Sequence, residues 1–139
     1  MKQAVQEITV ETRGQGLYDI TDTVSQWAKG CGVTTGLLTV FCRHTSASLL
    51  IQENTDPTVR ADLQSYFESL APENEGLYAH NEEGADDMPA HLKTALTQTT
   101  LTVPIHNARL VLGMWQALYL FEHRRRQHRR NVVLHLFGE

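Results

Sequence analysis

The stretch Leu110–Glu122 constrains the fold most, because it is apolar on both parities. Met114, Leu118 and Leu120 fall on one side of an extended chain, and Trp115, Ala117, Tyr119 and Phe121 on the other. Successive side chains of a strand point to opposite faces, so neither face of this one can stay in water. Each must be covered, by the rest of the domain or by another subunit. Gln116 and Glu122 break the pattern, both on the parity of Met114. A polar group on a buried face needs a partner, so each is either paired structurally or points into a pocket.

Around this segment the pattern predicts alternating strands and helices. Gln3–Thr12 reads as a strand, Arg13–Gly16 as a turn, and Thr21 as the cap of a short helix stopped by Gly30. Gly36–Arg43 is a buried strand, and Leu49–Gln52 resumes as strand after the small residues His44–Ser48. Asp56-Pro57 is the clearest helix start: Asp accepts from the first free N–H groups, and Pro at the first helical position forfeits no hydrogen bond. Val59, Leu63, Phe67 and Leu70 then recur at helical spacing up to Ala71-Pro72. Pro72–Met88 is a long acidic loop, a kind often functional in compact domains. Pro89–Thr97 is a further helix, and Thr99–Ile105 and Asn131–Phe137 are strands. This order of elements predicts an α+β fold in one domain spanning residues 1–139.

Neither the N-terminus nor any internal stretch is apolar enough for a signal peptide or a bilayer span, and Cys31 and Cys42 suggest no disulfide framework. No membrane partner and a cytoplasmic location are therefore expected. The net charge of −4 hides an asymmetry. Ala61–Leu92 carries eight acidic residues and no Lys or Arg, whereas His123–Arg130 reads HRRRQHRR. Overall acidity argues against a dedicated nucleic-acid binder, and the basic octet reads first as a solvated turn between strands.

Three of the seven histidines stand beside carboxylates or small residues: His44 at a strand end, His80 in the acidic loop, and His91 just after Asp86-Asp87. Neutral imidazole is the commonest nitrogen ligand for zinc, and three protein ligands with one open position suit catalysis. The spacing matches no short zinc signature, so the ligands would have to converge through the fold. Glu53, Asn54, Asp86 and Asp87 are candidates to complete or orient such a site. Asp86 and Asp87 are equally explained as helix-start residues favoured by the macrodipole. Arg109, at the turn before the long apolar segment, can bind an anionic substrate or be plain surface charge. Ser46 and Ser48 lack the strand–Gly-x-Ser-x-Gly–helix setting of a serine hydrolase.

At these same residues the chain resembles the YjbQ family. The resemblance runs through His44-Thr45-Ser46-Ala47-Ser48-Leu49, Glu53-Asn54-Thr55-Asp56-Pro57-Thr58-Val59 and Tyr78-Ala79-His80. It continues through Gly84–His91, Val103-Pro104, and Gly113-Met114-Trp115-Gln116 on to Glu122. It implies an α+β fold with a β-sandwich-like core and two or three helices, assembled as a homotrimer that would cover the doubly apolar strand. It also implies a divalent metal, zinc before magnesium, held by His44, His80 and His91. Glu53, Asn54, Asp86, Asp87, Arg109, Gln116 and Glu122 complete the candidate site. The activity implied is that of a secondary thiamine-phosphate synthase, a metal-dependent enzyme joining phosphorylated small molecules. The alternative is a trimer that binds a metal and a metabolite without turnover. Other branches arrange the acids before His91 differently, which leaves the division of labour between Asp86 and Asp87 open.

Overall fold

The computed structural model describes residues 1–139 as two antiparallel sheets and three helices. The strands are β1 (Lys2–Thr12), β2 (Gly16–Asp19), β3 (Thr35–Cys42), β4 (Ala47–Glu53), β5 (Thr100–His106), β6 (Arg109–Leu110), β7 (Gln116–Glu122) and β8 (His128–Gly138). The helices are α1 (Thr21–Gly30), α2 (Pro57–Leu70) and α3 (Asp87–Leu96). One sheet has the order β1-β8-β3-β5-β6 and the other β2-β7-β4. The α+β fold and sandwich-like core expected from the sequence are what the chain adopts.

The core lies between the sheets. Leu38, Val40, Leu134, Leu136, Leu101 and Val103 enter it from the larger sheet, and Ala47, Leu49, Leu118 and Leu120 from the smaller. Strand β5 alternates exposed and buried along its length, as a strand with one wet face must. Strand β7 does not alternate, and Ala117–Glu122 are all buried. Its second face lies under α2, where Phe67 meets Phe121 edge-on with ring centroids 5.5 Å apart and Arg60 donates to the Tyr119 hydroxyl at 3.3 Å. The domain thus covers both faces of the doubly apolar strand itself, so that pattern is no argument for a second subunit. The strand is also shorter than its pattern suggested. A turn at Gly113, whose N–H donates to Gln116 Oε1 at 2.8 Å, separates β6 from β7 and leaves Met114 and Trp115 exposed.

Other boundaries shift for identifiable reasons. Asp56 caps α2 as expected, accepting from Thr58 N–H at 2.9 Å. Thr21 does not cap α1; its hydroxyl accepts from Leu118 N–H at 2.9 Å, tying the helix start to β7, while Asp19 accepts from Thr21 N–H. Gly30 is still helical, and the chain turns at Gly32, where φ is +71°. Helix α3 begins at Asp87, two residues before Pro89.

Strands β3 and β8 pair antiparallel, and Gly36 and Gly138 face each other in register. A Cβ on Gly36 would lie 2.2 Å from the Phe137 carbonyl oxygen and 2.9 Å from Val33 Cγ1. Backbone cannot yield there as a flexible side chain can. Gly36→Ala is therefore expected to cost about 3 kcal/mol, the upper end of ordinary overpacking, read as a lower urea midpoint at unchanged slope.

Candidate metal centre

Helix α3 places Asp87 and His91 one turn apart on the same face. The acidic loop brings His80 over that face. His80 Nε2 lies 2.6 Å from Asp87 Oδ2, and His91 Nε2 lies 3.3 Å from the same oxygen. Ligand atoms of His80, Asp87 and His91 all fall within 4.8 Å of one another. Glu83 Oε2 approaches His80 Nε2 from the solvent side at 2.9 Å.

The surroundings fix what each group offers. His91 Nδ1 is 3.0 Å from the Thr45 carbonyl, which can only accept, so Nδ1 carries the ring proton. In its neutral form His91 would therefore turn the Nε2 lone pair toward Asp87, the orientation a metal requires. The hydrogen bond to Asp87 raises the His80 pKa above that of a free histidine, with the charges of Asp87 and Glu83 adding to it against a smaller desolvation. Burial pushes the Asp87 carboxyl up, but the hydrogen bond from His80 and the nearby charges of Arg124 and His91 more than offset this and hold it low. Arg124 Nη1 donates to Asp87 Oδ1, leaving Oδ2 to the imidazoles, and Arg124 Nε donates to Asp86 Oδ2 at 3.1 Å. Asp86 thus belongs to the support of the cluster. Two imidazoles and one carboxylate fit a three-ligand zinc site with an open position; magnesium, which prefers oxygen ligands, fits less well.

His44 stands apart from this cluster. Its Nε2 accepts from the Asn131 backbone N–H at 2.7 Å, so the lone pair a metal would need is occupied. Burial lowers the His44 pKa, and the Arg130 charge lowers it further. The ring is neutral, with its hydrogen on Nδ1. His44 does share a groove wall with His91, next to the cluster.

Glu122 lies near the centre but is committed. It is fully buried, with Arg130 donating to it through Nε at 2.7 Å and also through Nη2. Thr12 Oγ1 at 2.6 Å and Arg124 N–H at 3.1 Å complete its partners. Burial pushes its carboxyl up, and these donors bring it below the ordinary glutamate value.

Four other candidates are not brought together with the histidines. Ala47 pairs with Glu122 at the near end of β4, whereas Glu53 pairs with Gln116 at its far end, roughly 20 Å along the strand. There Glu53 accepts from Asp56 N–H, Asn54 donates to the Met114 carbonyl, and Gln116 accepts from Gly113 N–H. All three hold turns. Arg109 pairs with His106, which pairs with Thr35, at the end of β3 opposite His44 and roughly 23 Å away along that strand.

The basic octet does join strands β7 and β8, with Arg125, Arg126, Gln127 and Arg129 exposed, but it is not solvated throughout. Arg124 and Arg130 are spent on Asp86, Asp87 and Glu122, and Arg125 pairs with Glu73. His123 is 1% exposed. Its Nε2 lies 2.8 Å from Ser48 Oγ, which lies 2.6 Å from Thr97 Oγ1, which lies 2.7 Å from the Lys93 carbonyl. Thr97 Oγ1 is the donor to both Ser48 Oγ and the Lys93 carbonyl. For Arg124 and Arg125 the signal was the charge asymmetry: an acidic segment without its own cations, and a cationic segment elsewhere to meet it.

Burial, with the neighbouring charges of Lys93 and Arg130, lowers the His123 pKa to about 3. A depressed folded-state pKa means the unfolded chain binds the extra proton first. Its contribution is complete above the ordinary histidine value and falls as pH drops toward 3. Between pH 7 and pH 5 wild type should lose roughly 2 kcal/mol of stability relative to His123→Leu, measured by urea unfolding at each pH.

Comparison with known proteins agrees with the fold and the motifs. Residues 6–139 match the family model described as UPF0047 protein YjbQ-like. A UPF0047 protein of Synechocystis is 48% identical over 99% of this chain and 94% of its own length. UPF0047 protein YjbQ of Escherichia coli O157:H7 is 41% identical over 95% of this chain and 96% of its own. Among solved structures, an uncharacterized conserved YjbQ/UPF0047 protein of Clostridium acetobutylicum has a TM-score of 0.87 at 32% identity, covering 95% of this chain and 99% of that one. A conserved hypothetical protein of Thermus thermophilus has a TM-score of 0.85 at 34% identity with the same coverage. The chain belongs to the UPF0047 (YjbQ-like) family.

Proposed function

We propose that this chain is a zinc-dependent protein acting on a phosphorylated small molecule, with His80, Asp87 and His91 as the protein ligands. The observation that carries this reading is the convergence of their donor atoms, with the His91 tautomer fixed by Thr45 and Asp87 held by Arg124. When bound, a divalent cation neutralises charge on a phosphoryl oxygen. The chain's own part is to orient: Arg124 fixes the carboxylate, Thr45 fixes one ring, and Glu83 steadies the other. Within one chain Arg109 is too distant to hold a second phosphate. Arg124, Arg125 and Arg130 are occupied by carboxylates, which leaves less of the octet for nucleic acid. No helix is long and apolar enough to cross a membrane.

The assay supplies one equivalent of zinc and tests the thiamine-phosphate synthase reaction first, then other phosphorylated substrates. Turnover that disappears in His91→Ala and on chelation supports the reading; equal turnover in His91→Ala contradicts it. Stoichiometric retention of the ligand without product assigns binding in place of catalysis. A homotrimer is part of the same proposal, with the exposed Met114 and Trp115 as apolar surface available for contact. Sedimentation equilibrium should return three chain masses.

A further inference from the structure

A groove of about 460 Å³ begins at His91, on the edge of the candidate metal centre, and reaches His44. Its size falls in the range of small-molecule sites, roughly 300–1,000 Å³. Apart from Ala95 and the two imidazoles, its walls are Thr45, Thr94, Thr97 and Thr99. No carboxylate, lysine or arginine lines it. Of the cations on flanking segments, Arg43 pairs with Glu7, Arg124 with Asp86 and Asp87, and Arg130 with Glu122, while Lys93 is buried and lines a separate pocket beside Glu68 and Glu73.

The hydrogen-bonding capacity left in the groove is specific. Asn131 N–H takes His44 Nε2, so the neutral ring carries its hydrogen on Nδ1, for which the chain provides no acceptor. Thr97 is spent on the Lys93 carbonyl and Ser48. The hydroxyls of Thr45 and Thr99 join the His44 N–H as the groove's uncommitted groups, and the Thr94 hydroxyl, buried behind them, also has no partner. We propose that this groove receives the uncharged, oxygen-bearing body of a phosphate monoester whose phosphoryl group faces the metal centre, and that His44 donates Nδ1–H to an oxygen of that body. This rests on the metal reading above. It makes His44 a binding residue and not a metal ligand, and it selects hydroxylated monophosphates over ligands carrying two separate phosphates.

The test is calorimetric titration of the zinc-loaded full chain with methyl phosphate and with glycerol 2-phosphate, which carry the same charged group and differ in hydroxyls. Glycerol 2-phosphate is expected to bind about tenfold more tightly, equivalent to about 1.4 kcal/mol. His44→Leu removes the groove donor, at the cost of the acceptor for Asn131 N–H, and Thr99→Val removes a hydroxyl at nearly constant shape. In each variant the preference should fall below about threefold, with zinc stoichiometry and methyl phosphate affinity unchanged. Thr99→Val gives the same reading should His44→Leu fold poorly. Equal binding of the two esters by zinc-loaded wild type overturns this inference and leaves the metal reading standing. Loss of zinc from folded His44→Leu also overturns it, by making His44 a ligand. Failure of the wild type to bind zinc overturns both.

Discussion

Glu122→Ala is expected to lose about 3–5 kcal/mol of folding stability, because it strands the Arg130 guanidinium in the interior without a counter-charge. Arg130 is 4% exposed, and its remaining partners are the Ser46 carbonyl and hydroxyl. The same substitution frees Thr12 Oγ1 and removes the acceptor for Arg124 N–H. Replacing both members of the pair, as in Glu122→Met with Arg130→Met, should recover most of the loss, since apolar side chains of similar volume need no counter-charge. Urea unfolding of the two singles and the double forms a cycle that measures the coupling directly. A loss below about 1 kcal/mol in the single variant would mean water reaches the pair. Because Arg124 follows Glu122 by two residues, Glu122 also fixes the segment from which Arg124 reaches Asp87. It therefore acts on the candidate centre through the fold, with no direct contact to the imidazoles.

The second large effect is on metal affinity. Asp87→Asn keeps shape but removes the charge that two imidazoles and one guanidinium share. Zinc affinity should fall by more than about 100-fold, beyond the 10–100-fold typical of losing an outer-shell partner. Arg124→Lys, which loses the two-pronged grip on Asp86 and Asp87, should fall within that outer-shell range. His44→Gln should leave zinc affinity within about threefold. Competition against a chromogenic zinc chelator resolves all three variants. Equal zinc affinity in Asp87→Asn and wild type would contradict the assignment of Asp87 as a ligand.

Much of the architecture was legible in the sequence because it rests on local chemistry. The Asp56-Pro57 start, the alternation of β5 and the continuous burial of β7 all follow from residue type and period. The errors came where tertiary contacts overrode local signals. Thr21 looked like a cap but serves β7, and Gly113 turned one expected strand into two. At the site, His80, His91, Asp86 and Asp87 could be picked out by their company, whereas the exclusion of His44 depends on the Asn131 amide, 87 residues away. Glu53, Asn54, Gln116 and Arg109 carried suitable chemistry but lie at the wrong ends of β4, β7 and β3. Arg124, Arg130 and His123 were read as surface because one run of basic residues resembles another. Arg124 is drawn in by Asp86 and Asp87, Arg130 by Glu122, and His123 by Ser48, partners from three different parts of the chain.

The most direct test is an anomalous-difference map at the zinc edge, from crystals of the full chain prepared with one equivalent of zinc. The account predicts one strong peak at about 2.0–2.2 Å from His80 Nε2, His91 Nε2 and an Asp87 carboxylate oxygen, with His44 still bound to Asn131 N–H. A map without a peak there, or with the zinc seated on His44 and the other two rings turned away, would contradict it.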